Sequence, residues 1–152
     1  MSICLIDTTV FCNIIRVPSM DEDHQKTQSL LREYVADRVS LLLPMAAIIE
    51  TGNHVARNGD GNQRRRTARR FVKSVVDAVE GRAPWTATPF FEQDELGKWL
   101  SEFPDAAMRG VGLADLSIVK EFERQCALHP YRRVFIWSLD RHLASYDRPA
   151  RL

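Results

Sequence analysis

The sequence predicts an α/β fold, a parallel sheet of about four strands covered by helices on both faces, and three observations carry that prediction. Short continuous apolar runs, Ile3–Ile6, Leu41 to Leu43 and Val134–Trp137, have the character of strands buried on both faces. The stretches between them carry apolar residues at helical spacing. The first and last of these runs are followed closely by an acid, Asp7 and Asp140. In open α/β sheets, ligand sites form beyond the carboxyl ends of strands.

In chain order, Ile3–Ile6 forms the first strand and stops at Asp7. Residues 21–38 place Leu30, Leu31, Tyr34 and Val35 at helical spacing, and residues 40–44, Ser-Leu-Leu-Leu-Pro, form a second buried strand. A helix follows over 45–57. Residues 58–62, Asn-Gly-Asp-Gly-Asn, are the clearest loop signal, and residues 66–80 then form a helix with Phe71, Val72, Val75, Val76 and Val79 on one inward stripe, stopped by Gly81. A weak strand is expected over 85–90, a short helix over 94–102, a longer helix over 113–128 and a final strand over 134–137. No repeat, low-complexity tract or linker interrupts the chain, so residues 1–152 are expected to form one domain.

Composition narrows the possibilities without naming a function. Lys and Arg number 21 against 20 Asp and Glu, so net charge predicts no partner. Cys4, Cys12 and Cys126 lie in apolar surroundings without metal-site spacing and read as buried reduced thiols. The opening MSICLID lacks the basic region and longer apolar stretch of a secretory signal, so the expected compartment is the cytoplasm. No membrane span is expected either. The longest apolar segment, residues 41–49, is interrupted by Pro44 and falls far short of the roughly 20 residues that cross a bilayer.

Four carboxylates carry the candidate chemistry. Asp7, in Ile6-Asp-Thr-Thr-Val, leaves the first strand with two hydroxyls beside it, and Asp140 follows the last strand in Trp137-Ser-Leu-Asp-Arg. Each serves equally well as a helix N-cap or as a ligand. Asp115 is more informative. On a helix starting at Leu113 it points within about 20° of Phe122 and Cys126 at 100° per residue, which puts an acid on the apolar side. Such an acid is costly without a cation or donors to compensate it. Glu50 shares a stripe with Ala46, His54 and Arg57 after the strand-Pro-helix passage, where a solvated helix face looks the same and His54 reads as a bystander. Hard divalent cations such as Mg²⁺ or Mn²⁺ take oxygen ligands, and phosphodiester hydrolysis is the reaction that suits such a site.

The ordered set of an Asp closing the first strand, a Glu after an apolar strand-Pro-helix passage, Gly110-Val-Gly-Leu-Ala-Asp115 and Trp137-Ser-Leu-Asp-Arg-His-Leu143 resembles the PIN-domain ribonucleases over almost the whole chain. The resemblance implies a PIN-like three-layer α/β/α sandwich. It also implies an endoribonuclease dependent on Mg²⁺ or Mn²⁺, with Asp7, Glu50, Asp115 and Asp140 as catalytic and metal-site residues. Thr9 and Ser138 would be hydroxyl-bearing supports behind them. Family members often carry Asn or Ser where Thr9 stands. Many single-domain members act as toxins of bacterial toxin-antitoxin pairs, usually as dimers, so an antitoxin protein and a homodimer are the implied partners beside RNA.

Between Arg57 and Lys73 stand seven basic residues, Arg57, Arg64, Arg65, Arg66, Arg69, Arg70 and Lys73, against the single acid Asp60. Arg66, Arg69, Arg70 and Lys73 share a polar helical sector that, with Arg57, is expected to follow an RNA backbone; the alternatives are a solvated face and a surface for an acidic protein segment. Two other functions compete. A non-catalytic PIN-like adaptor for RNA or protein would be expected to have lost at least one acid. An aspartate-nucleophile phosphatase would want a second acid where Thr9 stands.

Overall fold

The computed structural model describes residues 1–152. The elements are β1 (Ile3–Ile6), α1 (Thr8–Ile14), α2 (His24–Ala36), β2 (Ser40–Leu43), α3 (Met45–Arg57), α4 (Gly61–Val79), β3 (Trp85–Ala87), α5 (Gln93–Met108), α6 (Leu113–Leu128), β4 (Val134–Trp137), α7 (Arg141–Ala144) and β5 (Asp147–Arg148). The strand order is β3-β2-β1-β4-β5. The first four strands are mutually parallel, and β5 runs antiparallel to β4. Every residue of β1 and β4 is buried, as parallel strands with helices on both faces must be. Tyr34 of α2 packs edge-on against Phe135 and Trp137 of β4, and Phe11 of α1 against Phe71 of α4 and Trp85 of β3. No helix is long and apolar enough to cross a membrane.

The order of strands positions the site. From β1 the chain moves outward through β2 and β3, then returns to the other side of β1 as β4. The β1 and β4 carboxyl ends therefore flank the point where the winding reverses, the crevice in which open α/β sheets bind ligands. Ile6 pairs in register with Trp137, and the Asp7 backbone N–H donates to Trp137 O at 3.0 Å. The segments after β1 and β4 thus leave the sheet side by side.

Several elements depart from the sequence expectation. The sheet has five strands rather than about four, because the two-residue β5 is held by side chains: Arg133 makes two bonds of 2.9 and 2.7 Å to Asp147, and Arg148 donates to the carbonyls of Cys126, His129 and Arg132. Helix α4 begins at Gly61 instead of residue 66, since Asp60 and Gln63 form a reciprocal capping box inside the expected loop. The inward stripe of α4 is narrower than expected. Thr67, Phe71, Val75 and Ala78 line the core side, whereas Val72, Val76 and Val79 are 55%, 42% and 71% exposed. Five apolar positions spread over this arc exceed what one flat contact covers, so the outer three remain at the surface. Helix α5 continues past Glu102 to Met108 through the exposed Pro104, with Ala106 buried beyond it. The weak strand is shorter than expected, ending at Ala87.

Candidate active site

Asp7 follows β1 in extended backbone (φ −78°, ψ 162°) at the N-cap position of α1, yet its side chain makes no capping bond. It is 2% exposed. Its Oδ2 accepts from Thr9 Oγ1 at 2.8 Å and from Ser138 Oγ at 2.6 Å. Thr9 Oγ1 in turn accepts from the Leu139 N–H at 3.0 Å, and Ser138 Oγ from the Asp140 N–H at 3.0 Å. Donors therefore run from the β4 end through two hydroxyls to one carboxylate oxygen. Such bonds to a charged acceptor are the stronger kind, and they offset the cost of burying Asp7.

Asp140 behaves differently. It is exposed, and its Oδ1 accepts from the N–H groups of His142 at 2.7 Å and Leu143 at 3.3 Å, so it caps α7. The two acids that sequence left between cap and ligand thus separate: Asp7 is no cap and Asp140 is one. Capping engages one oxygen of Asp140 only.

Glu50 projects from the middle of α3, half-buried, and its Oε2 accepts from Thr8 Oγ1 at 3.1 Å. The role of Thr8 is visible only in the fold. Its only signal was the hydroxyl pair Thr8-Thr9 after Asp7, of which Thr9 serves Asp7 and Thr8 serves Glu50.

Asp115 lies in the first turn of α6, half-buried. Desolvation, and then the charges of Asp7, Glu50 and Asp140, push its carboxyl up to about 6, with His142 opposing the rise. That all three other acids act on Asp115 places the four in one electrostatic neighbourhood, drawn from β1, α3, α6 and the β4–α7 turn. As the side chains stand, however, no three acidic, histidine or cysteine residues are close enough to hold one metal ion between them. Proximity of charge is present and a closed ligand shell is not. The donor set itself is all carboxylate oxygen with hydroxyl support, the chemistry that hard divalent cations take.

The basic residues sort by what they already hold. Arg57, Arg66 and Arg69 are exposed without an ion-pair partner. Lys73 pairs with Asp77 at 2.7 Å. Arg70 is a structural tie: its Nε donates to Ile15 O at 2.9 Å, and its NH2 nitrogen to Arg16 O at 3.0 Å and Thr67 Oγ1 at 3.2 Å, closing the carboxyl end of α1. Burial pushes the Cys12 thiol up to about 11 and raises that of Cys4 as well, which keeps both thiols protonated and inert. No family model and no curated protein matches the chain.

Proposed function

We propose that this chain is a metal-dependent endoribonuclease of the PIN-domain kind, hydrolysing RNA phosphodiester bonds at the crevice between β1 and β4. The observation that carries the reading is Asp115, a half-buried acid raised first by desolvation and then by the charges of Asp7, Glu50 and Asp140. Structure alone gives little reason to gather four acids from four elements around a desolvated carboxyl, since each adds repulsion to the folded state. A cation or a substrate-linked proton gives one.

Asp7, Glu50, Asp115 and Asp140 would hold Mg²⁺ or Mn²⁺ through carboxylate oxygens. The bound ion would supply a water of lowered pKa and charge neutralisation at the phosphate. Thr9 and Ser138 fix the Asp7 carboxylate through one oxygen, and Thr8 steadies Glu50. Asp140 keeps the turn after β4 in place through its cap. Arg66 and Arg69 on α4, with Arg57 at the end of α3, would attract the RNA backbone without reading its sequence. Arg70 and Lys73 have less to offer, being engaged within the protein.

A toxin role, with an antitoxin protein and a second copy of the chain as partners, is part of the same proposal. The exposed Val72 and Val76 beside Arg65 and Arg69 supply apolar and basic surface of the sort a protein partner covers. Three cysteines without a disulfide suit a reducing cytoplasm.

The absence of a closed ligand shell favours one second reading, a non-catalytic PIN-like adaptor that binds RNA or protein. Cleavage of mixed-sequence RNA by purified chain, with Mg²⁺ or Mn²⁺ and with chelator, separates the two. Metal-dependent cleavage lost in Asp7→Asn and Asp115→Asn supports the nuclease. A folded Asp115→Asn protein that cuts at the wild-type rate would sink the mechanism.

A further inference from the structure

Beside the acids a second feature opens, a pocket of about 300 Å³ between α3, α5 and α6. Its walls are apolar, with Ile49 from α3, Phe91 and Trp99 from the α5 side and Leu113 from α6, and Ile49 and Leu113 are 49% and 37% exposed. Glu50 lines the same pocket, and so does Ala114, the neighbour of Asp115. The pocket is therefore continuous with the candidate site. No Lys or Arg lines it, and its one ionisable side chain is the Glu50 carboxylate. A phosphate is unwelcome there, whereas a neutral planar group finds apolar walls and an aromatic face.

Two polar features can orient such a group. Asn53 stands one turn after Glu50 on α3, exposed, offering an amide donor and acceptor. Trp99 is held edge-on by Phe91, with ring centroids 4.5 Å apart at 60°, and, unlike the Trp85 indole that donates to Ser74 O, its N–H has no acceptor in the protein. Mainly apolar walls with a small number of placed polar groups are the usual make-up of a small-ligand site.

We propose that this pocket receives one unpaired nucleobase of the RNA, stacked on Trp99 and contacted along its edge by Asn53, while the adjoining phosphate lies at the acids. The inference rests on the nuclease reading and adds to it a base-binding subsite beside the acids, which a base stacked within an A-form duplex could enter only by unpairing.

The test uses uncleavable probes, so that it does not depend on catalysis. Adenosine, cytidine, guanosine and uridine 5′-monophosphates are titrated against the intact chain and followed by tryptophan fluorescence, with ribose 5-phosphate as the base-free control. Trp85 and Trp137 are each 7% exposed, so a quench by nucleotide reports on Trp99. At least one nucleotide should quench and ribose 5-phosphate should not. Trp99→Phe should remove the signal while a calorimetric titration finds similar affinity, and Trp99→Leu should weaken affinity about tenfold. In a single-stranded RNA that the protein cuts, Trp99→Leu should raise KM more than it lowers kcat, and an abasic residue beside the cut should reproduce that effect in the wild-type protein. Equal responses to nucleotide and ribose 5-phosphate overturn the base site, whether or not RNA is cut. So does a Trp99→Leu variant that changes the sedimenting mass without changing nucleotide affinity, which would assign the pocket to contact with a second copy. Nucleotide-specific quenching in a protein that cuts no RNA would retain the base site and remove the nuclease reading.

Discussion

Ser138 Oγ donates to Asp7 Oδ2 at 2.6 Å across 131 positions of chain, joining the turn after β4 to the end of β1. Thr9 Oγ1 reaches the same oxygen at 2.8 Å and lies 3.4 Å from Ser138 Oγ. The two hydroxyls form one unit around a buried carboxylate. Replacing either, as Ser138→Ala or Thr9→Val, should cost about 1–2 kcal/mol of stability and reduce cleavage through loss of Asp7 orientation. The double variant should lose less than the sum, because the second hydroxyl already lacks its neighbour. Chemical denaturation of the four proteins of this cycle measures the coupling, and strictly additive losses would show that the hydroxyls act separately.

Asp115 makes metal-free stability depend on pH. Its folded-state value of about 6 lies above the ordinary 3.8, so the folded protein holds this proton more tightly than the unfolded chain. Below pH 3.8 both states are protonated and the group is neutral in the balance. As pH rises from there to about 6 the unfolded state ionises first, and stability is lost until the folded carboxyl also ionises. Allowing for solvent screening of a half-exposed group, the loss is about 1–2 kcal/mol. Asp115→Asn should therefore match or exceed wild type above pH 6 in chelator, with the advantage shrinking as pH falls toward 4. Thermal unfolding at pH 4, 5, 6 and 7 checks this. A difference that does not change over that interval would mean that Asp115 is not strained.

The sequence carried information where a pattern was local. Helices α3 and α6 fall at 45–57 and 113–128 as expected, because Pro44 and Gly112 mark their starts and the apolar spacing runs through them. Helix α1 was not legible. Of its seven residues only Thr9 escapes burial, so there is no polar face to give a helical period. Placement of the acids past strand ends followed from alternation of strand and helix. The bonds that distinguish Asp7 from Asp140 did not follow, since Ser138 and Asp7 meet only through the strand order β1-β4. Arg70 gives the same lesson: its spacing places it with Arg66 and Arg69, but a contact 55 positions away with Ile15 O decides what it does.

Those basic residues should separate by experiment. Arg70→Ala removes three bonds at the end of α1 and should cost roughly 1–3 kcal/mol. Arg66→Ala and Arg69→Ala sit at the exposed face and should change stability by less than about 0.5 kcal/mol. If α4 follows the RNA backbone, Arg66→Glu with Arg69→Glu should weaken RNA binding and flatten its dependence on salt, leaving base preference unchanged. Affinity that is unaltered at low salt would return this face to plain solvation or to a protein partner.

Asp140 combines two roles that a pair of substitutions can divide. Its Oδ1 caps α7 through the N–H groups of His142 and Leu143, while its charge adds to the field on Asp115. Asn is as good a cap as Asp but carries no charge. Asp140→Asn should therefore keep stability within about 0.5 kcal/mol. Its divalent affinity and cleavage should fall, and the Asp115 carboxyl should move back toward its ordinary value. Asp140→Ala loses the cap as well and should cost about 1 kcal/mol more than Asn, with the turn carrying Ser138 loosened and Asp7 orientation disturbed with it. Cleavage in Asp140→Ala should then be below that in Asp140→Asn. Calorimetric titration with Mn²⁺, unfolding midpoints and cleavage rates of both variants give the comparison. If Asp140→Asn binds Mn²⁺ and cuts RNA as the wild type does, Asp140 is a cap alone and the site reduces to Asp7, Glu50 and Asp115.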